Sequence, residues 1–537
     1  MKKLLISIAV PVILLPGFGC TKSKPVAANN KDTIVDYKPL LEKTQQGCFQ
    51  YFWQLGKNFS GMAPERATAT SGNTVATGGS GFGVMATICG MERGWISKQE
   101  GTQRILSIVR FLDKADRFHG AWSHWMNGTN GQAVPFSSKG NAGDLVETSF
   151  MMAGLLSAKA YLTGSSAEET EIRQLTDKFY QTIEWDWYTN NTKSLYWGWY
   201  PQGNVFQLPI GGWNESLITY ILALGAPTHA ITQDVYNNGW TRNGNFRNGK
   251  TFYGYKQYLG RDKGGPLFLS HYSFLGLNPH LMQDQYTSYI QQHINHTMIN
   301  RAYCLQEAPA TNLYAPNQWG LTAADGVNGY RPHAPDLDEG TLAPTAALSA
   351  MPYTPYYSIQ ALQHYMNDMG TMLWGVYGFH DAFNVSKNWY DNQYLAIDQG
   401  PVVVMIENYR TGKIWDLLMS VPEVQQGLLL AGINKPVYET GFPEAMPESI
   451  SGCYDMLLHP DKGVYEIAYY IKEAGVNSTF TLLDENGNTV RVLQASAPAN
   501  VGAYTLSFNQ DKIVTGKTYV LQLQAGEKRV AIKVILH

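Results

Sequence analysis

Apolar residues recur at helical spacing along the chain from Tyr37 onward. Over 39–55 they fall near that spacing, which predicts an amphipathic helix. An apolar run after Ser216 predicts a helix that is buried on nearly every face. The same reasoning predicts helices over 82–90, 97–115, 168–185, 284–302, 341–349, 355–373, 396–408 and 411–418, and a further apolar helix that contains 271–274.

Long loops rich in aromatic and acidic residues alternate with short turns between these helices. The pattern amounts to about a dozen helices, and no strand-like alternation of period two precedes Pro436. Helical hairpins arranged in a ring, an (α/α)6 toroid, fit this alternation because the long loops then gather at one end and form a cleft. We therefore expect a mainly α-helical catalytic domain, an (α/α)6 barrel, over 37–435.

The hydrophobic period changes after a linker rich in proline and glutamate at 436–451. Short alternating runs predict strands over 464–471, 478–484, 489–493, 503–507, 518–525 and 528–536. The sequence DENGN at 484–488 is typical of a hairpin turn. We expect a small β-sandwich accessory domain over 452–537.

The first twenty residues predict export. Lys2 and Lys3 precede an apolar stretch over 4–15, and small residues lead to Cys20. This is typical of a lipoprotein signal peptide over 1–20, with Cys20 as the lipidated residue and a polar tether over 21–36. The expected location is the outer membrane facing the periplasm, with the cell surface as the alternative.

Composition narrows the class of protein. Hydrophobic residues make up 44% of the chain and charged residues 15%, which is typical of a globular protein. The formal net charge is −3 and no basic tract is present, which argues against a nucleic-acid partner. The four remaining cysteines are scattered without a CxxC spacing, so we predict free thiols, no metal site and no cofactor, and leave one disulfide open. We expect a monomer.

The sequence GGWNESLITY at 211–220 is the strongest candidate for catalytic chemistry. Two glycines break the backbone, Asn214 can cap a helix, and Glu215 is expected on the first turn of the apolar helix, beside Trp213. A carboxyl group at the mouth of a buried helix suits a general acid whose pKa is raised by desolvation. The alternative is that Glu215 only completes a helix cap.

Three other stretches have related features. In IDQGPVVVMIENYR, Asp398 leads an apolar helix that carries Glu407 further along. In GDLVET, Asp144 and Glu147 share one helix face, which fits a capping box, a functional site or both. The sequence TGGSGFG at 77–83 follows no strand and precedes no lysine, so its glycines predict a close backbone approach and not a phosphate-binding loop.

Several stretches together resemble the bacterial glycoamylase-like family, the group that contains glycoside hydrolase family 144. The resemblance covers 36–434 and rests on TGGSGFG (77–83), ADRFHGAWSHWMNG (115–128), GDLVETSFM (143–151), GGWNESLI (211–218), GGPLFLSHYSFLG (264–276), GLTAADGVNGY (320–330), APTAALSAMPYTP (343–355) and AIDQGPVVVMIENYRTG (396–412).

The resemblance implies an (α/α)6 barrel that hydrolyses β-1,2-linked glucan with inversion. It implies Glu215 as the acid and Asp398 as the base, with Asp144 and Glu147 as further cleft carboxylates. Hydrolysis of a glycoside needs one protonated carboxyl group at the leaving oxygen and one carboxylate that activates water. The C-terminal β-domain is not part of the family's common core.

Substrate-binding residues are expected in the aromatic loops, because aromatic faces pack against the apolar faces of sugar rings. The candidates are Arg66, His119, Trp122, Trp125, Trp213, Trp319 and Tyr353. For each aromatic residue, burial in the core is the alternative role.

Three functions remain open from the sequence. The first is an enzyme that cleaves β-1,2-glucan or its oligosaccharides, either internally or by releasing sophorose from an end. The second is a lipid-anchored glycan-binding protein without catalysis, which the presence of all four acids disfavours. The third is a glucoamylase-like hydrolase of α-glucans, which rests only on a shared fold.

Overall fold

The computed structural model describes 38–67, 72–434, 455–459, 464–471, 475–484, 486–499, 502–509, 513–514, 517–526 and 528–535. The predicted signal peptide at 1–20 with Cys20, the tether at 21–36 and the linker at 436–451 lie outside the described residues. The three cysteines that can be described, Cys48, Cys89 and Cys304, are buried free thiols, as predicted.

Helices dominate the chain up to Asn434. Those of six residues or more are α1 (Lys38–Gln50), α2 (Thr77–Glu92), α3 (Lys98–Leu112), α4 (Leu145–Tyr161), α5 (Ala167–Gln181), α6 (Leu217–Gly225), α7 (Tyr289–Gln306), α8 (Pro344–Ser349), α9 (Pro355–Asn367), α10 (Ala396–Thr411), α11 (Lys413–Met419) and α12 (Pro422–Leu430). Within the described ranges, no helix has both the length and the apolar character needed to cross a membrane.

Short strands occupy the loops between these helices, although no alternation of period two marks them in the sequence. They are β1 (Thr74–Ala76), β2 (Arg117–Phe118), β3 (Ala121–Trp122), β4 (Trp125–Asn127), β5 (Ala133–Val134), β6 (Gly143–Asp144), β7 (Tyr196–Tyr200), β8 (Val205–Pro209), β9 (Thr251–Phe252), β10 (Tyr255–Lys256), β11 (Ala323–Ala324), β12 (Arg331–Pro332), β13 (Trp374–Gly375), β14 (Gly378–Phe379), β15 (Phe383–Asn384) and β16 (Trp389–Tyr390). Most are too short for an alternating pattern to emerge from the sequence.

Two helix predictions differ from the structure. The segment around His271 forms only short 3₁₀ turns, Leu267–Ser270 and Ser273–Leu275. The helix predicted from Asp284 begins at Tyr289, because Asp284 Oδ1 accepts the N–H groups of Tyr286 and Thr287 in a turn before it. Apolar content identified both segments as buried but could not distinguish a turn from a helix.

The core is built around α2, which packs against α4 and α10. Helix α2 begins at Thr77, so the glycines of TGGSGFG lie inside it and not before it. A Cβ atom on Gly81 would lie 2.4 Å from the carbonyl oxygen of Phe150 on α4. The predicted close backbone approach is therefore confirmed, and it occurs between two helices.

Replacing Gly81 by Ala is expected to lower the free energy of unfolding by about 1–3 kcal/mol or more, because only backbone atoms of α4 lie in the way. Urea unfolding followed by circular dichroism measures the change. The control is Gly370→Ala, where the nearest atom to the new Cβ is 3.9 Å away and no loss is expected. Equal stability of the two variants would contradict the close approach.

The C-terminal region forms two antiparallel sheets. One has the order β17 (Asp455–His459), β18 (Val464–Ile471), β21 (Gly502–Asn509); the other has the order β20 (Thr489–Ala499), β19 (Val476–Asp484), β22 (Thr518–Ala525), β23 (Lys528–Ile535). Phe508 of the first sheet joins Phe480, Leu521 and Leu523 of the second in one buried cluster. The predicted β-rich C-terminal region is confirmed.

Candidate active site

Glu215 lies in the loop immediately before α6, which begins at Leu217, and not on the first helical turn as predicted. Asn214 Oδ1 accepts the N–H of Ser216 at 2.9 Å, so Asn214 closes a turn and does not cap the helix. The hydroxyl of Ser273 donates to the carbonyl oxygen of Glu215. Two hydrogen bonds therefore fix the loop that carries Glu215, one through the side chain of Asn214 and one through the carbonyl oxygen of Glu215.

The carboxyl group of Glu215 is suited to carry a proton near neutral pH. Burial raises its pKa to about 7, and the nearby carboxylates of Glu147 and Asp144 act in the same direction. The residue as a whole is only partly buried. The predicted raised pKa is therefore confirmed, and its cause is the predicted one.

Asp144 and Glu147 lie at the start of α4 and are both buried. Asp144 Oδ1 accepts the N–H groups of Val146 at 3.1 Å and Glu147 at 2.9 Å, which confirms the predicted N-cap. Glu147 does not complete the capping box, since its Oε2 accepts the N–H of Gly78 at 2.6 Å. The glycine is needed there, because a Cβ atom at Gly78 would lie 2.7 Å from that oxygen.

His124 contacts Asp144, and its charge interacts with both Asp144 and Glu147. His124 Nδ1 lies 2.8 Å from Asp144 Oδ2, and Trp197 Nε1 donates to the same oxygen at 3.1 Å. Burial alone would lower the pKa of His124, but Glu147 and Asp144 raise it to about 9. The imidazolium therefore offsets part of the negative charge beside Glu215.

A cavity of about 240 Å³ opens beside Asp144. Its walls are mainly apolar and aromatic, and they include His124, Phe136, Trp197, Tyr200 and Leu208. Aromatic rings together with a few polar groups are typical of a small-molecule or sugar site.

Asp398 lies on the first turn of α10 and is only 2% exposed. Burial raises its pKa well above the ordinary value, and the neighbouring carboxyl group of Asp381 raises it further. Two carboxyl groups this close in a buried place do not readily ionise together.

More acids surround this pair. Arg66 Nη1 lies 2.9 Å from Asp325 Oδ2, and its Nε lies 2.9 Å from Glu65 Oε2. The N–H of Asp325 donates to Asp381 Oδ2 at 2.6 Å. A backbone bridge between Arg66 and Leu395 brings the segment beside the start of α10. Arg66, predicted to bind substrate, is thus placed beside the acids around Asp398.

Asp381 and Asp391 flank the β15–β16 hairpin. The N–H of Asp381 donates to the carbonyl oxygen of Gln393, and the N–H of Asp391 donates to that of Ala382, both at 3.0 Å. Burial and neighbouring carboxylates raise the pKa of Asp381 to about 7 and that of Asp391 to about 6. Sequence reasoning missed both residues, because isolated aspartates in a loop carry no pattern.

Tyr272 lies close enough to both Glu215 and Asp398 for their charges to affect its phenol. Its phenol is buried, and its pKa is raised by that burial and by the charges of both Asp398 and Glu215. Its hydroxyl has no hydrogen-bond partner within the described part of the chain. Glu215 and Asp398 therefore lie within electrostatic reach of one side chain, although 183 positions separate them in the sequence. The sequence placed Tyr272 in a predicted apolar helix and gave it no role in the site.

The structure buries four of the aromatic residues predicted to bind sugar, which favours the alternative role in the core for each of them. Trp122 packs against Phe179, and Trp213 lies among Trp240, Phe274, Tyr289 and His293. The remaining two, Trp319 and Tyr353, are fully buried. Rings that fill the core leave no face for a sugar.

Two other aromatic predictions stay predictions. Trp125 is partly exposed, and its ring lies 4.8 Å from that of Phe136 at the cavity. His119 is also partly exposed; its ring stacks on Trp187 at 3.8 Å, and its Nδ1 contacts Glu184 at 2.8 Å.

Comparisons with known proteins show which proteins this chain is similar to. The family model described as "Putative glucoamylase" matches residues 207–422. The curated exo-β-1,2-glucooligosaccharide sophorohydrolase (non-reducing end) of Parabacteroides distasonis is 42% identical over 412 residues, which is 72% of this chain. The chain spans 57% of the length of that relative.

One solved structure is similar to this chain over nearly the whole length of that structure. The endo-β-1,2-glucanase of Chitinophaga pinensis, in complex with sophorotriose and glucose, is 47% identical to this chain. The match covers 75% of this chain and 99% of that one, with a TM-score of 0.72.

Proposed function

This chain belongs to the glucoamylase-like family, and from that premise we propose that it is a glycoside hydrolase acting on β-1,2-glucan or β-1,2-gluco-oligosaccharides. One observation carries the proposal: Glu215, with a pKa of about 7, and the acidic pair of Asp398 and Asp381 lie within reach of the same buried tyrosine. Glycoside hydrolysis needs such a protonated acid and a separate carboxylate. The names of the relatives supply the glucan linkage.

The proposed reaction is a single displacement with inversion. Glu215 donates its proton to the glycosidic oxygen as that bond breaks, and Asp398 takes a proton from the water that attacks the anomeric carbon. Because burial and the neighbouring carboxyl group of Asp381 raise the pKa of Asp398, Asp398 must first lose its own proton to solvent before it can act as the base. Glu147 binds a sugar hydroxyl beside Glu215, whereas both oxygens of Asp144 already accept hydrogen bonds. The charges of both acids favour the protonated form of Glu215 and so keep its proton in place.

The helices of 37–435 form the (α/α)6 ring in this proposal, and 452–537 form an accessory domain. Truncation after Lys435 is then expected to leave a soluble and active enzyme. An insoluble product would show that the C-terminal sheets complete the core of the helical region.

Product analysis on three glucans tests the function directly. The full chain is incubated with linear β-1,2-glucan, laminarin and starch, and the products are separated by chromatography. Only β-1,2-glucan is expected to be cleaved. Sophorose as the sole early product would indicate exo action, and a ladder of oligosaccharides would indicate endo action. Binding without cleavage would favour the glycan-binding alternative, and cleavage of starch would favour the α-glucan hydrolase.

The pH dependence of kcat/KM is expected to show an alkaline limb with an apparent pKa of about 7. Below that pH Glu215 is protonated and can serve as the acid; as the pH rises through 7 it loses the proton, and the rate falls. Initial rates on a β-1,2-gluco-oligosaccharide from about pH 5 to about pH 9 measure the limb. A flat profile across about pH 6 to about pH 9 would remove Glu215 from the acid role.

The location also enters as a proposal. Lipid on Cys20 would hold the enzyme at the outer membrane, facing the periplasm or the cell surface. Cell fractionation of the native protein and of Cys20→Ser tests this. Full recovery of the native protein in the soluble fraction would contradict it.

A further inference from the structure

The acids around Asp381 carry more negative charge than their neighbours offset. Five carboxyl groups meet there: those of Glu65, Asp325, Asp381, Asp391 and Asp398. Over the described ranges, the only basic side chain in an ion pair with any of them is Arg66. Burying like charges without counterions is unfavourable, so such a cluster must retain protons or bind a cation.

The positions of three of these carboxylates fit a single ion. Asp325, Asp381 and Asp391 each offer one oxygen, and the three oxygens lie within 4.8 Å of one another. Oxygens bind Ca²⁺ at roughly 2.3–2.6 Å, so two on opposite sides of one ion are about 4.6–5.2 Å apart. The three carboxylates can therefore coordinate the same ion without rearranging their loops.

An unsatisfied oxygen points independently to a missing ligand. Asp391 is only 7% exposed, and its Oδ1 accepts the N–H groups of Asn392 and Gln393. Its Oδ2 is buried and has no hydrogen-bond partner in the described part of the chain. Asp381 is similar, because its Oδ2 accepts the N–H of Asp325 while its Oδ1 is buried and has no hydrogen-bond partner among the described residues. Buried polar atoms of this kind normally have partners.

We propose that Asp325, Asp381 and Asp391 bind one divalent cation, and that the cation is Ca²⁺. All three ligands are carboxylate oxygens, a set that hard cations prefer, and neither cysteine nor histidine belongs to it. Mg²⁺ fits less well because it requires near-octahedral geometry at about 2.1 Å, whereas Ca²⁺ tolerates irregular loops. The ion ties the β11–β12 hairpin to the β15–β16 hairpin beside α10.

Calorimetry on the full-length chain, freed of metal with a chelator, tests the site independently of any hydrolase activity. Titration with CaCl₂ is expected to show one ion per chain with a dissociation constant below about 10⁻³ M. Added Ca²⁺ is also expected to raise the unfolding temperature, because it binds only the folded state. The same titration is repeated with MgCl₂, for which weaker binding is expected.

The variant Asp391→Asn keeps the shape of the side chain and is expected to weaken Ca²⁺ binding by at least about tenfold. The matched control is Asp336→Asn, because Asp336 is exposed and pairs with Arg261 at the surface; it should bind like the wild type. Three results would overturn the proposal: no binding and no thermal shift in the wild type at millimolar Ca²⁺, unchanged affinity in Asp391→Asn, or tighter binding of Mg²⁺. The wild-type titrations decide the question even if the variant does not fold.

Discussion

Replacing Glu215 by Gln is expected to lower kcat on β-1,2-glucan by at least about 10²-fold, which is the lower end of the effect of a general acid. The amide has nearly the same shape but no proton to give to the leaving oxygen. The native carboxyl group has that proton because its pKa is about 7. Steady-state rates at about pH 6, where the wild-type acid is protonated, measure the loss.

A substrate with an activated leaving group separates this role from a structural one. Nitrophenyl β-sophoroside releases a phenolate that needs little protonation, so Glu215→Gln is expected to keep most of its activity on that substrate. The variant should also lose the alkaline limb of the pH profile, since the limb belongs to the residue removed. Equal losses on the natural and the activated substrates would contradict the assignment of Glu215 as the acid.

Replacing Asp398 by Asn is likewise expected to lower kcat by at least about 10²-fold, because an amide cannot take a proton from water. Here an activated leaving group should give no rescue, since the attack of water is impaired whatever the leaving group is. The unfolding temperature is expected to stay the same or to rise. The substitution removes a carboxyl group that is 2% exposed and repelled by Asp381 and Asp325.

Helix α10 offers a matched control in its second buried acid, Glu407. That carboxylate accepts hydrogen bonds from Arg93 at 2.5 and 2.7 Å, from Gln45 at 2.9 Å and from Thr411 at 2.7 Å. Glu407→Gln breaks this buried ion pair, so it should lower the unfolding temperature while the folded fraction keeps its kcat. If Asp398→Asn instead lost stability and kept its activity, Asp398 would be structural and not the base.

The sequence was sufficient to place Glu215 and Asp144 at the starts of their helices because the signals around them are local. The break at the two glycines and the apolar helix after Ser216 placed Glu215 at a buried helix end, and the spacing of GDLVET placed Asp144 at an N-cap. The start of α6, the cap by Asn214 and the completion of the capping box by Glu147 were wrong. Asn214 turns the chain before the helix starts, and such a choice between a turn and a cap depends on tertiary contacts.

The surroundings of Asp398 could be predicted only in part, because the residues that form them lie in segments far apart in the sequence. Asp398 lies ahead of a helix that the sequence shows, but Asp381 and Asp391 meet it through a hairpin too short to give a pattern. Tyr272 and the buried tryptophans show a second limit, since their roles could not be predicted from the sequence either. Aromatic content predicts burial or sugar contact equally well, and only packing decides which one applies.

The anomeric form of the first product tests the central claim most directly, since that claim assigns Glu215 and Asp398 to opposite sides of the scissile bond. Carboxyl groups roughly 6.5–9.5 Å or more apart leave room for a water and give inversion, whereas about 5–5.5 Å favours a covalent intermediate and retention. Proton NMR spectra recorded during the first minutes of hydrolysis of a β-1,2-linked substrate distinguish the two. With Glu215 as the acid and Asp398 as the base, the α-anomer is expected to appear first. Initial appearance of the β-anomer would contradict these two roles.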